Sequence, residues 1–175
     1  MEEQLLSAHS IRAAASADTA EILRLIRELS VYEKLEHLVV GTEAMLHESL
    51  FGARPSAEAL VAEVDGRMVG FALFYTTFST FLCRAGIHLE DLFVEPAHRG
   101  RGVGKSLLSR LATLAEQRGC GRLEWHVLDW NEPSIRFYES LDAKLMKEWI
   151  LVRMVAPEFR ALAAQESTAS TSRSG

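Results

Sequence analysis

At the centre of this chain a strand, a glycine-spaced loop and a helix follow one another without interruption. His88 to Val94 (HLEDLFV) reads as a strand and is ended by Glu95-Pro96. The segment from His98 to Gly104 (HRGRGVG) follows, and then Val103, Leu107, Leu108, Leu111, Leu114 and Ala115 recur at helical spacing until Gly119 closes the run. Gly100, Gly102 and Gly104 therefore place backbone N–H groups without intrahelical acceptors at the positive end of a helix dipole. That arrangement binds anions, and the missing β-carbons let a diphosphate approach the backbone while Arg99 and Arg101 add charge. A phosphate-bearing ligand is expected.

Spacing narrows the choice. The phosphate loop of nucleotide hydrolases requires a glycine five residues before Gly104-Lys105-Ser106, and that position is Arg99. The dinucleotide fingerprint requires a small residue at the position of Lys105. What matches is Arg/Gln-x-x-Gly-x-Gly/Ala, filled by Arg99, Gly102 and Gly104.

On either side of this centre the pattern is mixed α/β. Ile22, Leu23, Leu25, Ile26, Leu29 and Tyr32 share one helical face behind Asp18 as N-cap, predicting a helix to about Leu35. Thr42 caps a second helix that stops at Gly52. Ala59 to Val64, Asp65-Gly66 and Met68 to Tyr75 read as a hairpin, Arg122 to Leu128 as a strand, Pro133 to Ser140 as a short helix, and Leu145 to Val155 as one or two final strands. One domain over residues 10–164 is expected, with a loose segment 1–9 and a Ser/Thr-rich disordered tail over 165–175.

Composition excludes several classes. Twenty-four acidic against 19 basic side chains leave no basic excess for nucleic acid and fit a cationic ligand better. Two distant cysteines, Cys83 and Cys120, outline neither a disulfide framework nor a zinc site. No stretch approaches the ~18 apolar residues of a membrane span, and the acidic start is unlike a secretory signal, so a cytoplasmic protein without a membrane partner is expected.

The Arg99–Gly104 motif, set between LEDLFVEP and an amphipathic helix, resembles the acetyl-CoA signature of the GNAT superfamily of acetyltransferases. ILRLIRELSVYE, LVAEVDGRMVGFALFY and WNEPSIRFYESLDA stand in that family's order, so the likeness covers nearly all of Ile11 to Val155. Tyr32-Glu33, Leu89-Glu90-Asp91 and Trp130 to Ser134 (WNEPS) resemble its spermidine/spermine (diamine) branch most. The resemblance implies a central, mostly antiparallel sheet with one splayed parallel pair, flanked by helices. It also implies N-acetyl transfer from acetyl-CoA to a small cationic amine without a metal, and a homodimer, for which the apolar run Trp149 to Val155 is available.

Alkylamines must lose a proton before they attack, at a cost of roughly 4 to 5 kcal/mol at neutral pH. By resemblance Glu90 is the base, directly or through water, and Tyr138 the acid that protonates the leaving sulfur. The apolar neighbours of Glu90 predict a partly desolvated carboxylate with a raised pKa. Strand alternation puts His88 and Glu90 on one face and Asp91 on the other unless a bulge intervenes. The resemblance further assigns the coenzyme to Arg99, Gly100, Arg101, Gly102, Val103, Gly104, Lys105, Asn131, Ser134, Tyr138 and the backbone of Leu92, Phe93 and Val94. It assigns the amine to Tyr32, Glu33, Glu90 and Asp91. Phe78 to Arg84 (FSTFLCR) lacks the acidic and Trp residues expected of polyamine-acetylating members, which leaves room for thialysine-like amino acids. A non-catalytic acyl-CoA-binding module and an acetyltransferase for peptide amines are the competing readings. A metal trio of His88, Glu90 and His126 is disfavoured, since acyl transfer of this type needs no metal.

Overall fold

The computed structural model of the chain describes residues 9–171. They cluster into two compact units divided between His126 and Val127.

The first unit holds a five-stranded sheet in the order β1 (His9–Ala13), β2 (Glu58–Val64), β3 (Arg67–Ser79), β4 (Arg84–Val94), β5 (Leu123–Trp125). Every neighbouring pair is antiparallel except β4 and β5, which run parallel. Helices α1 (Thr19–Glu33) and α2 (Glu43–Phe51) cover one face, where Ile22, Leu25, Leu29 and Leu50 pack with Val61, Phe71 and Phe93. Helix α3 (Val103–Gln117) buries Val103, Leu107, Leu108 and Leu111. It packs on the strands β1 to β4, and Arg118 just beyond it lies over the ring of Phe74 at 5.9 Å.

Local chemistry explains most boundaries. Thr42 Oγ1 accepts the Met45 N–H at 3.3 Å and caps α2 as its hydroxyl predicts. The hairpin turns at Asp65 and Gly66, both with positive φ, as a tight turn requires. Asp18 departs from expectation: its carboxylate makes no cap bond to α1 but accepts from Arg12 at 2.6 and 2.9 Å and from the Ala15 N–H at 2.7 Å, which closes the short turn Ser16–Asp18 ahead of that helix. Arg12 also donates to Glu63 at 2.6 Å, so β1 is tied to the start of α1 and to β2. The residues of β1 carry too short a pattern to be predicted, and β1 forms because β2 offers it a five-residue ladder.

The second unit contains α4 (Glu132–Glu139) and α5 (Ala156–Thr171). Residues 145–155 form no strand, contrary to expectation: a strand needs a partner ladder, and this run stays extended or turned with Ile150 85% and Val152 89% exposed. Helix α5 continues to Thr171, where a disordered tail was expected from residue 165, because its Ala-, Leu- and Glu-containing first half nucleates a helix that the polar residues extend. Of the segment 1–9 expected to be loose, residues 1–8 lie outside the described residues, as does the end of the tail (172–175), while His9 opens β1. Both cysteines are free thiols, and among the described residues no helix is long and apolar enough to cross a membrane.

Candidate active site

Strand β4 organises the first unit's functional side chains. Its ladder with β3 runs from Gly70↔Val94 to Leu73↔Asp91 and resumes at Phe74↔Leu89, so Glu90 faces no residue and forms a β-bulge. The bulge breaks alternation just where the two carboxylates stand. Asp91 shares a face with Phe93 and with its partner Leu73, and that face is the one covered by α1 and α2. Burial first, then the charges of Glu90 and Glu33, push Asp91 up to about 7. Glu33, at the last turn of α1, is also raised by burial. Glu33, from the last turn of α1, and Glu90, from the bulge of β4, thus both act on the charge of Asp91. The desolvation expected of Glu90 falls on Asp91 instead, because the bulge turns Glu90 outward and leaves its side chain 53% exposed.

Beside these carboxylates lies a row of rings. Tyr75 and His88 are cross-strand partners stacked at 5.1 Å, and His126 meets His88 at 4.8 Å. His88 Nε2 is 3.9 Å from Glu90 Oε2. Burial, then His126, hold His88 below the ordinary histidine range, with Glu90 and Glu124 pulling the other way. Among the described residues no cluster of His, Cys, Asp and Glu is arranged to hold a metal.

The end of β4 is fixed by Glu95, which is 8% exposed and accepts from Arg24 of α1 at 3.0 Å and Arg67 of β3 at 2.7 Å. The short turn Pro96–His98 leads to Arg99, whose Nε donates to the Val94 carbonyl at 2.8 Å. Its guanidinium lies over the rings of Tyr32 at 4.8 Å and Phe93 at 5.4 Å. Arg99 thus braces the loop against α1, beside a cavity of about 340 Å³ lined by Glu28, Val31, Tyr32, Phe93, Pro96 and Arg99. Gly100 and Gly102 have φ of 72° and 84°; a β-carbon on Gly100 would meet nothing within 4 Å, and one on Gly102 only His9. The first helical bond of α3 runs from Ser106 N–H to the Gly102 carbonyl, so the amides of Val103, Gly104 and Lys105 have no acceptor within the helix. Arg101 and Lys105 stand exposed around them. Open space, free amides and nearby cations fit a diphosphate.

Among the described residues, the parallel ladder of β4 with β5 takes in Ile87, His88 and Leu89 and does not extend to Leu92, Phe93 and Val94.

In the second unit, Asn131 Oδ1 accepts the Ser134 N–H at 3.4 Å and caps α4, with Pro133 in the first turn. Tyr138 is buried on the same helix, its ring 5.4 Å from that of Phe137. Sequence reasoning missed Tyr75, Glu95 and Glu124. Tyr75 and Glu124 become visible only through strand register, which pairs both with His88.

Residues 23–142 match the model of the acetyltransferase (GNAT) family. The chain belongs to that family. The match runs through both units and includes β4, the loop, α3 and α4. The enzyme is 35% identical over 166 residues to the thialysine N-epsilon-acetyltransferase of Mus musculus, covering 89% of this chain and 97% of that one. It is 30% identical to the L-ornithine N5-acetyltransferase of Arabidopsis thaliana, covering 87% and 86%. Among solved structures, an integron cassette protein from the mobile metagenome of V. cholerae superposes with a TM-score of 0.74 at 25% identity, over 89% of this chain and 97% of the other.

Proposed function

We propose that the enzyme transfers acetyl from acetyl-CoA to a primary amine of a small cationic molecule, in the class of thialysine-like amino acids and diamines. The observation that carries this reading is the bulge of β4, which sets Asp91 on the face covered by α1 within the field of Glu33 and Glu90, where a cation relieves mutual repulsion. The names of the relatives, thialysine and L-ornithine acetyltransferases, support the same acceptor class.

Acetyl-CoA supplies the thioester that is broken. Glu90 takes a proton from the bound ammonium, directly or through water, and leaves the nitrogen lone pair free to attack. Backbone N–H groups of Leu92 to Val94 polarise the carbonyl oxygen without rearranging. The Tyr138 hydroxyl protonates the departing sulfur and is refilled by the second proton, which the acylated nitrogen sheds as the amide forms. Residues 99–105 hold the diphosphate, with the Asn131–Ser134 end of α4 as a further contact. Glu33 and Asp91 hold the remaining positive charge of the substrate, and Tyr32 lines that end. In this reading residues 10–164 act as a single acetyltransferase domain, cytoplasmic and dimeric, with no metal in the reaction.

The test follows thiol release from acetyl-CoA over a panel of diamines, polyamines, thialysine, ornithine and peptide N-termini. Turnover with a small dibasic amine is the expected result, and turnover with peptides alone overturns the acceptor class. Tyr138→Phe is expected to lower kcat more than coenzyme affinity, and Glu33→Gln to raise KM for a dication more than for a monocation.

A further inference from the structure

The carboxylate that deprotonates the amine must itself be emptied in every cycle, and Glu90 has a partner for that. His88 is buried between Tyr75 of β3, stacked at 5.1 Å, and His126, exposed just after β5, at 4.8 Å. The bulge that isolates Glu90 from the ladder brings its carboxylate to 3.9 Å from His88 Nε2, a separation that one water or a small rotation closes. We propose that His88 is the proton outlet of Glu90, and that the stack with Tyr75 and His126 holds its ring for the purpose.

This rests on Glu90 as the acceptor of the amine's proton. The balance is simple. The ammonium N–H bond breaks and a Glu90 O–H bond forms; the Glu90 O–H then breaks as the His88 Nε2–H bond forms; the imidazolium releases one proton to water on the side where His126 is exposed. No oxidant or second substrate is needed, and Glu90 and His88 return to their starting forms.

Four titratable groups face His88: Tyr75 from β3, Glu90 from its own strand, Glu124, its register partner on β5, and His126. Burial and His126 hold the ring below the ordinary histidine range, which favours the neutral form that can accept a proton; Glu90 and Glu124 steady the imidazolium once formed. Tyr75 contributes a stacking face and, raised by burial and by the same two carboxylates, stays protonated throughout. His88 is thus a positioning and relay residue, not a group that touches the amine.

The experiment uses the full-length protein with acetyl-CoA and thialysine. His88→Phe keeps a ring in the stack and removes the nitrogen. It is expected to lower kcat about tenfold, to leave KM for the amine and the affinity for CoA within about twofold, and to make kcat rise with buffer concentration. His88→Ala leaves a ring-sized gap, and added imidazole is expected to restore turnover. Histidine ¹⁵N spectra of the wild-type protein and of Glu90→Gln supply a readout independent of turnover: loss of the carboxylate is expected to lower the His88 titration midpoint by about half a pH unit or more. A kcat in His88→Phe equal to wild type while Glu90→Gln is impaired overturns the relay and leaves the acetyltransfer reading intact. An unmoved His88 midpoint also overturns it, even if either variant folds poorly. Absence of thiol release from the wild type sinks both; full activity of Glu90→Gln removes the proton source and with it the relay, while acetyl transfer stands.

Discussion

Asp91 carries the heaviest electrostatic load in the first unit, because burial and two neighbouring carboxylates all oppose its ionisation. Its effect on stability has a definite sign. Below about pH 4 the residue is protonated whether the chain is folded or not. Between about 4 and 7 the folded protein keeps a proton that the unfolded chain has released, so stability falls as pH rises, and the full penalty is present above 7. Asp91→Asn is therefore expected to stabilise the protein at pH 8 by roughly 2 to 4 kcal/mol and to change little at pH 4, as read by urea denaturation at both values. The same variant is expected to raise KM for a dibasic amine, and an unchanged KM removes Asp91 from the acceptor site. All three carboxylates were legible from the sequence, through the YE and LED segments. Which of them is desolvated was not: alternation cannot show that Glu90 sits in a bulge, and a single inserted position decides which side chain is shielded.

Glycines matter here as parts of elements. Gly102 enters α3 with φ of 84°, so Gly102→Ala is expected to cost about 1 to 2 kcal/mol in thermal or urea unfolding and to weaken CoA binding at the same time. Gly70 is a different case: a β-carbon there would lie 2.7 Å from the Phe93 carbonyl, so Gly70→Ala is expected to force β3 from β4 and cost roughly 1 to 3 kcal/mol. If calorimetry finds it as stable as wild type, the close approach of the two strands is wrong. The helices α1 to α4, the hairpin and β4 were readable because each carries several turns of pattern or a turn signal of its own. What was misread depends on partners distant in sequence. β1 borrows its ladder from β2, and residues 145–155 have strand composition but no ladder in the second unit.

For the molecule as a whole, that same run exposes Trp149, Ile150, Leu151 and Val152 together, more apolar surface than a solitary soluble chain usually shows. The dimer proposed above gives the run an occupant. Sedimentation is expected to find dimers at micromolar concentration, and Ile150→Asp with Val152→Asp is expected to return the protein to monomers; wild-type monomers throughout would refute the assignment. Strand β4 has its own unfinished side, since β5 accompanies it for three residues and then ends. A backbone seam left unzipped receives any extended segment that reaches it, whether a ligand's amide arm or a stray chain. Samples stripped of coenzyme are accordingly expected to turn cloudy first on standing, and saturating CoA to keep them clear, as read by light scattering.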